Sequence, residues 1–149
     1  MRPGLVTWIG LRTARDGPIV TSDFALLVAA RGIEGDRYQT SRDGARQVTL
    51  IAVESLAAIA SFLGFDRLEP ATLRRNFVTS GINLLGLKGR RFRLGGALLE
   101  YSGDCAPCSR VEASLGPGGY NAVRGHGGIT ARIIEGGKVH IGDAVARVD

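Results

Sequence analysis

Apolar and polar positions along the chain fall into short runs, most of them too short for helices. Leu5-Val-Thr-Trp-Ile-Gly-Leu-Arg12 alternates loosely and is rich in β formers, which predicts a first strand. A second apolar run covers 24–30 and is followed by the turn-rich, charged segment 31–37. After a polar loop at 41–45, residues 47–53 read as a strand. The period then changes once. Leu56, Ile59, Ala60 and Leu63 share one face at helical spacing, so 54–63 is predicted as the one clear helix, with Gly64 ending it. Glu54 sits in its first turn, where a carboxylate suits the helix dipole, and is read as structural. Strand patterning returns at 74–79. Residues 92–94 and 97–101 flank Gly95-Gly96 as a hairpin. Cys105-Ala-Pro-Cys108 reads as a turn and 109–115 as a short helical turn. Residues 129–134, 138–141 and 144–148 close the chain as short strands.

Many short strands, one amphipathic helix and Gly-rich connections predict a mainly β fold, a closed or partly open β-barrel. The chain has 149 residues, which predicts a single domain over 1–149. Its 44% hydrophobic and 22% charged residues let it bury a core without disulfide or metal staples. The 22 glycines, about twice the usual share, are scattered as turns rather than clustered as low complexity.

Charge adds a chemical preference. The formal net charge is +5, and every basic side chain except Lys88 and Lys138 is Arg. Guanidinium forks match phosphate and carboxylate oxygens, which points to an anionic, phosphorylated small molecule; a base-composition bias toward Arg codons is the competing explanation. Nucleic acid is not expected, because aromatics are only 6% and no basic stretch is interleaved with them. No membrane span or signal peptide is read from the start of the chain, and two cysteines make no secreted disulfide framework. A cytoplasmic location with reduced thiols is the expectation.

The Cys105-Ala-Pro-Cys108 stretch is the sharpest local feature. A thioredoxin-like redox pair would open a helix inside a βαβ pattern, which is not visible. A structural zinc site would need His126 and His140 at spacings far from those of zinc fingers. A single reactive or metal-binding cysteine, with the other in support, is the third reading, and two inert buried thiols the fourth. Pro107 before Cys108, and Arg110 with a helix start after it, favour Cys108 as the thiolate. Asp104 disfavours one at Cys105. Arg74-Arg75-Asn76 brings two guanidiniums and an amide that could grip phosphate and read a heterocycle edge. Alternatively these are solvated charges at a strand edge. Arg37 is either an anion contact or a turn arginine paired with Asp36. Gly125-His126-Gly127-Gly128 would let a backbone approach a ligand. No dinucleotide-binding, P-loop, zincin or nucleophile-elbow motif occurs.

In order, Gly32-Ile-Glu-Gly-Asp-Arg-Tyr38, Gln47 to Glu54, Arg74-Arg-Asn-Phe-Val-Thr-Ser-Gly81, Leu87-Lys-Gly89, Phe92-Arg-Leu-Gly95, Cys105-Ala-Pro-Cys108 and Ile141-Gly-Asp143 resemble the MOSC domain. That family is named for the C-terminal domain of molybdenum cofactor sulfurases. The resemblance implies a barrel like that of the pyruvate kinase barrel domain. It also implies binding of molybdenum cofactor (molybdopterin), or carriage of sulfur for it, through a cysteine, and pyridoxal phosphate binding as a family-level property. In the amidoxime-reducing members the second cysteine of the Cys-x-x-Cys stretch, here Cys108, ligates molybdenum. Their Arg-x-Asn cofactor contact falls on Arg74 and Asn76, an Asp-Arg arginine on Arg37, and a Lys-Ser pair on Arg12-Thr13, with Arg in place of Lys. The implied activity is reduction of N-hydroxylated substrates with electrons from an electron-transfer partner. The alternative is a non-enzymatic persulfide or cofactor carrier serving a cofactor-biosynthesis or sulfurtransferase partner.

Overall fold

The computed structural model describes residues 1–148. Its strands are β1 (Gly4–Arg12), β2 (Ile19–Thr21), β3 (Phe24–Val28), β4 (Gly32–Ile33), β5 (Val48–Ala52), β6 (Phe77–Ser80), β7 (Arg91–Leu94), β8 (Ala97–Asp104), β9 (Ile129–Glu135), β10 (Gly137–His140) and β11 (Ala144–Arg147). Its helices are α1 (Val53–Leu63), α2 (Ser109–Leu115) and α3 (Gly119–Val123), with a 3₁₀ turn at Leu84–Leu87.

Seven of the strands form a closed, mixed barrel in the order β1-β6-β5-β9-β8-β7-β11. It is sealed by β11 pairing back to β1 at Gly4–Val145 and Leu5–Ala144. Closure removes the open edges that a sheet of this size would otherwise present. The β5–β6 pair is parallel and the other barrel pairs are antiparallel. A parallel pair needs a long crossover, and residues 53–76 supply it through α1. A smaller sheet, β10-β3-β4, lies beside the barrel, and β2 extends β1.

The parallel pair and its crossover helix explain why β5 is buried along its whole length. All five residues of β5 are buried. Val48, Leu50 and Ala52 point into the barrel core with Phe77, Phe92 and Leu99. Ile51 points outward, into a second cluster with Leu56 and Ile59 of α1 and Val111, Leu115 and Val123 of the other helices. A strand covered on both faces loses the alternation of a half-exposed one. Burying each of these aliphatic side chains contributes roughly 1.5–3 kcal/mol.

The helix begins one residue before its predicted start and ends, as expected, at a left-handed Gly64 with φ 72°. Glu54 accepts a hydrogen bond from the Gly81 amide at 2.8 Å and ties α1 to the end of β6. The Gly95-Gly96 hairpin is present, with Leu94 opposite Ala97. A Cβ at Gly96 would lie 2.9 Å from the Lys138 carbonyl oxygen, so the turn needs glycine to pack on β10.

Two differences from the sequence reading bear on the site. The strand expected from residue 74 begins at Phe77, because Arg74 adopts a left-handed backbone with φ 60°. The helix α3 has no strong periodic signal. It is held instead by Glu112 of α2, which accepts hydrogen bonds from the amides of Gly118 and Tyr120 and whose carboxyl pKa those bonds lower. No helix among the described residues is long and apolar enough to cross a membrane.

Candidate functional site

One end of the barrel is ringed by arginines from five separate segments. Arg12 ends β1, Arg15 sits in the loop before β2, Arg37 follows β4, Arg46 precedes β5, Arg74 and Arg75 precede β6, and Arg110 lies in α2. All seven line one cavity of about 190 Å³, and Cys108 lines it with them. That volume is below the ~300–1,000 Å³ of pockets that enclose a whole ligand. A larger molecule would seat one end here and lie against the rim with the rest.

These arginines fall into two groups by what their guanidiniums already hold. Arg12 is committed to Asp36: its amide and Nε donate to Oδ1 at 2.8 and 3.3 Å, and Nη2 donates to Oδ2 at 2.9 Å. Arg74 donates to the carbonyls of Gly17 (2.6 Å), Ala14 (3.1 Å) and Arg15 (3.2 Å), and so clamps the loop that carries Arg15. Arg75 donates to the carbonyls of Gly127 and Leu73, both at 2.9 Å. Burial lowers its pKa, the nearby Cys105 and Cys108 oppose that, and Arg46 and Arg12 add to it. Arg110 makes only a loose contact with Asp16 at 3.7 Å. Among the described residues, the guanidiniums of Arg15, Arg37 and Arg46 have no hydrogen bond or ion pair.

The predicted site residues therefore separate. Arg12, Arg37, Arg74 and Cys108 come together from distant parts of the chain. Thr13 is exposed in the loop after β1 and does not line the cavity. Asn76 does not reach it either, which corrects the expectation that its amide faces a ligand. It is fully buried. Its Oδ1 accepts from the amide and hydroxyl of Thr49, both at 3.1 Å. Its Nδ2 donates to the Gly10 carbonyl and to Asp36 Oδ1, both at 3.2 Å. Every polar position of the side chain is used within the fold. Of the two readings of Arg37, the turn pairing with Asp36 is not formed: Asp36 binds Arg12 and leaves the Arg37 guanidinium free among the described residues. The sequence reading missed Arg46 and Arg15 as lining residues. Each is a lone arginine in a loop, and only the tertiary fold brings them to one cavity with Cys108.

The two cysteines have different surroundings. Cys105 is buried, and burial pushes its thiol pKa up; Arg75, Arg46 and Arg12 act in the opposite direction and Asp104 reinforces the rise. Cys108 is exposed at the start of α2. The turn between them is held by the Gly125–Gly128 loop. The Cys105 amide donates to the Gly128 carbonyl at 2.9 Å. A Cβ at Gly127 would lie 2.1 Å from the Cys105 carbonyl oxygen. The glycines thus allow close approach to the cysteine turn itself, and Gly127 also accepts from Arg75. His126 instead packs beside Phe62, with ring centroids 5.5 Å apart.

No curated protein matches this chain in sequence. Among solved structures, the YuaD protein from Bacillus subtilis superposes with a TM-score of 0.84 at 21% identity, over 97% of this chain and 94% of that one. YiiM from Escherichia coli gives 0.72 at 19% identity, over 97% and 70%. YiiM from Geobacillus stearothermophilus gives 0.73 at 15%, over 98% and 75%. At these identities the likeness establishes the barrel fold. The family model for the MOSC domain matches residues 29–146, a span that holds both cysteines and all the cavity arginines except Arg12 and Arg15. With that match and the closed mixed barrel, this chain belongs to the MOSC domain family.

Proposed function

We propose that this protein binds molybdenum cofactor in the arginine-lined cavity, with Cys108 as the protein ligand to molybdenum. On this reading it reduces N-hydroxylated compounds with electrons from a partner protein. The observation that carries the reading is the convergence of an exposed cysteine with Arg12, Arg37, Arg74 and Arg75 on one cavity. The donor set suits the group. The described residues contain no cluster of three or more His, Cys, Asp or Glu that could hold a metal. A metal bound here must bring most of its own ligands, as one held by a pterin dithiolene does. A soft thiolate suits molybdenum, and guanidiniums suit a terminal phosphate. When bound, the cofactor would supply a two-electron redox centre able to take an oxygen atom from the substrate.

The chain's own residues define the rest. Arg37 and Arg46 have free donors for oxyanions. Arg75, locked by two carbonyls, keeps a positive charge near both cysteines. The burial that raises the Cys105 pKa keeps that thiol protonated at neutral pH, leaving Cys108 as the available sulfur.

Purification from a molybdenum-replete host, followed by metal analysis and pterin fluorescence, tests the reading. Molybdenum and pterin are expected in stoichiometric amounts. Cys108→Ser should lose the metal and reduce N-hydroxylated substrate orders of magnitude more slowly, while Cys105→Ser should keep most activity. A persulfide on Cys108 without pterin would support sulfur carriage instead, and retention of metal in Cys108→Ser would overturn the ligand assignment.

A further inference from the structure

The cavity carries more positive charge than a single terminal phosphate requires. Arg12 is neutralised by Asp36, and Arg74 and Arg75 are engaged by backbone carbonyls. Arg15, Arg37 and Arg46 have no hydrogen-bonded partner among the described residues, and Arg110 has only the 3.7 Å contact with Asp16. A phosphate monoester offers about two negative charges. If Arg37 holds that end of the cofactor, with the charges of Arg74 and Arg75 beside it, Arg15, Arg46 and Arg110 remain. These three come from three different segments and line the same cavity as Cys108. Three guanidiniums with free donors at the mouth of one pocket form a site for a second oxyanion.

We infer that the substrate is itself anionic, an N-hydroxylated compound bearing a carboxylate or phosphate that Arg15, Arg46 and Arg110 hold while its N–O group faces the Cys108 end of the cavity. The inference rests on the proposed reductive function and adds the substrate class. Arg15 has a defined place because Arg74 fixes the carbonyls of Ala14, Arg15 and Gly17. The loop is therefore preorganised, and binding the anion costs little loop entropy. An acidic partner protein is the other ligand such a rim could attract. The small-molecule reading is favoured because these arginines line the cavity beside the thiol rather than a flat surface.

The test compares benzamidoxime with 4-carboxybenzamidoxime, using cofactor-loaded protein and reduced methyl viologen as electron source. The carboxylated compound is expected to have a KM about tenfold lower, the value of one good charge-assisted hydrogen bond. The ratio of the two KM values should fall toward one in Arg15→Gln/Arg46→Gln and at high salt. Both arginines are exposed and unpartnered, so the double variant should fold. In parallel, calorimetric titration of cofactor-free protein should show the same preference for the carboxylated compound. Equal KM values with no calorimetric preference would overturn the inference while leaving the reductive function intact. No reduction of either compound, with the calorimetric preference preserved, would overturn the reductive function and uphold the oxyanion site. A double variant that slows turnover with a protein reductant, yet leaves the KM ratio as in wild type, would assign these arginines to the partner and overturn the inference.

Discussion

Two polar regions meet at the end of the barrel, and they differ in how completely they are satisfied. Behind the cavity wall, Asp36, Asn76, Thr49 and the Arg12 guanidinium exchange hydrogen bonds with one another and with the Gly10 carbonyl and Tyr38 amide. At the mouth, Arg15, Arg37 and Arg46 have no such bonds. Buried polar groups must be paired because water cannot reach them; exposed guanidiniums can wait in solvent for a ligand. The inner cluster therefore shapes the site, and the outer set is free to recognise something. The cysteines repeat the contrast, with Cys105 buried and Cys108 exposed.

The largest effect should come from breaking the inner cluster at its charged centre. Asp36→Ala removes the acceptor of Arg12, Asn76 and the Tyr38 amide, and leaves a part-buried guanidinium without its counter-ion. A loss of about 3–5 kcal/mol is expected from chemical denaturation, as for other buried pairs cut on one side. An effect below about 1 kcal/mol would place Asp36 with surface ion pairs instead. Asn76→Ala strands the Thr49 amide and the Gly10 carbonyl and should cost about 1–3 kcal/mol. It should weaken molybdenum retention only in proportion to lost folding. Retention that falls while stability holds would restore Asn76 as a direct contact.

The outer set should behave in the opposite way. Arg37→Gln should change stability by no more than about 0.5 kcal/mol, because the side chain has no partner to lose. It should nevertheless reduce the rise in Tm that inorganic phosphate produces in the wild type, read by thermal denaturation with and without phosphate. The smallest effect concerns pH. Cys105 has its thiol pKa raised in the folded state. The folded protein thus holds that proton more tightly than the unfolded chain. This contribution to stability is fully present below the ordinary thiol pKa and is lost as pH rises through the raised one. Denaturation curves across the alkaline range should show this loss, and Cys105→Ala should flatten it.

Parts of the site were legible in residue types alone. Cys108, Arg37 and Arg74 are chemically conspicuous, and they do line one cavity. Asn76 was legible as a polar residue beside a strand, but whether its amide faces a ligand or the core depends on which strands lie around it. Here β1 and β5 flank β6, and together with Asp36 they supply partners for every polar position on that side chain. Arg46 and Arg15 carry no local signal at all.

The amino-acid sequence by itself determined the helical period of α1, the strand character of most of the short apolar runs and the glycine turns. These depend on neighbours a few residues apart and on side-chain chemistry. Period and turn propensity therefore placed α1, the Gly95-Gly96 hairpin and the short β runs close to where they lie. Only the tertiary structure decided which arginines are spent and which are free. That division depends on the pairing of β1 with β6, which brings the Ala14–Gly17 carbonyls to Arg74, and on the Arg37 amide donating to the Arg12 carbonyl, which sets Asp36 against Arg12. A guanidinium's role is set by its nearest acceptors, and here those acceptors lie tens of residues away along the chain.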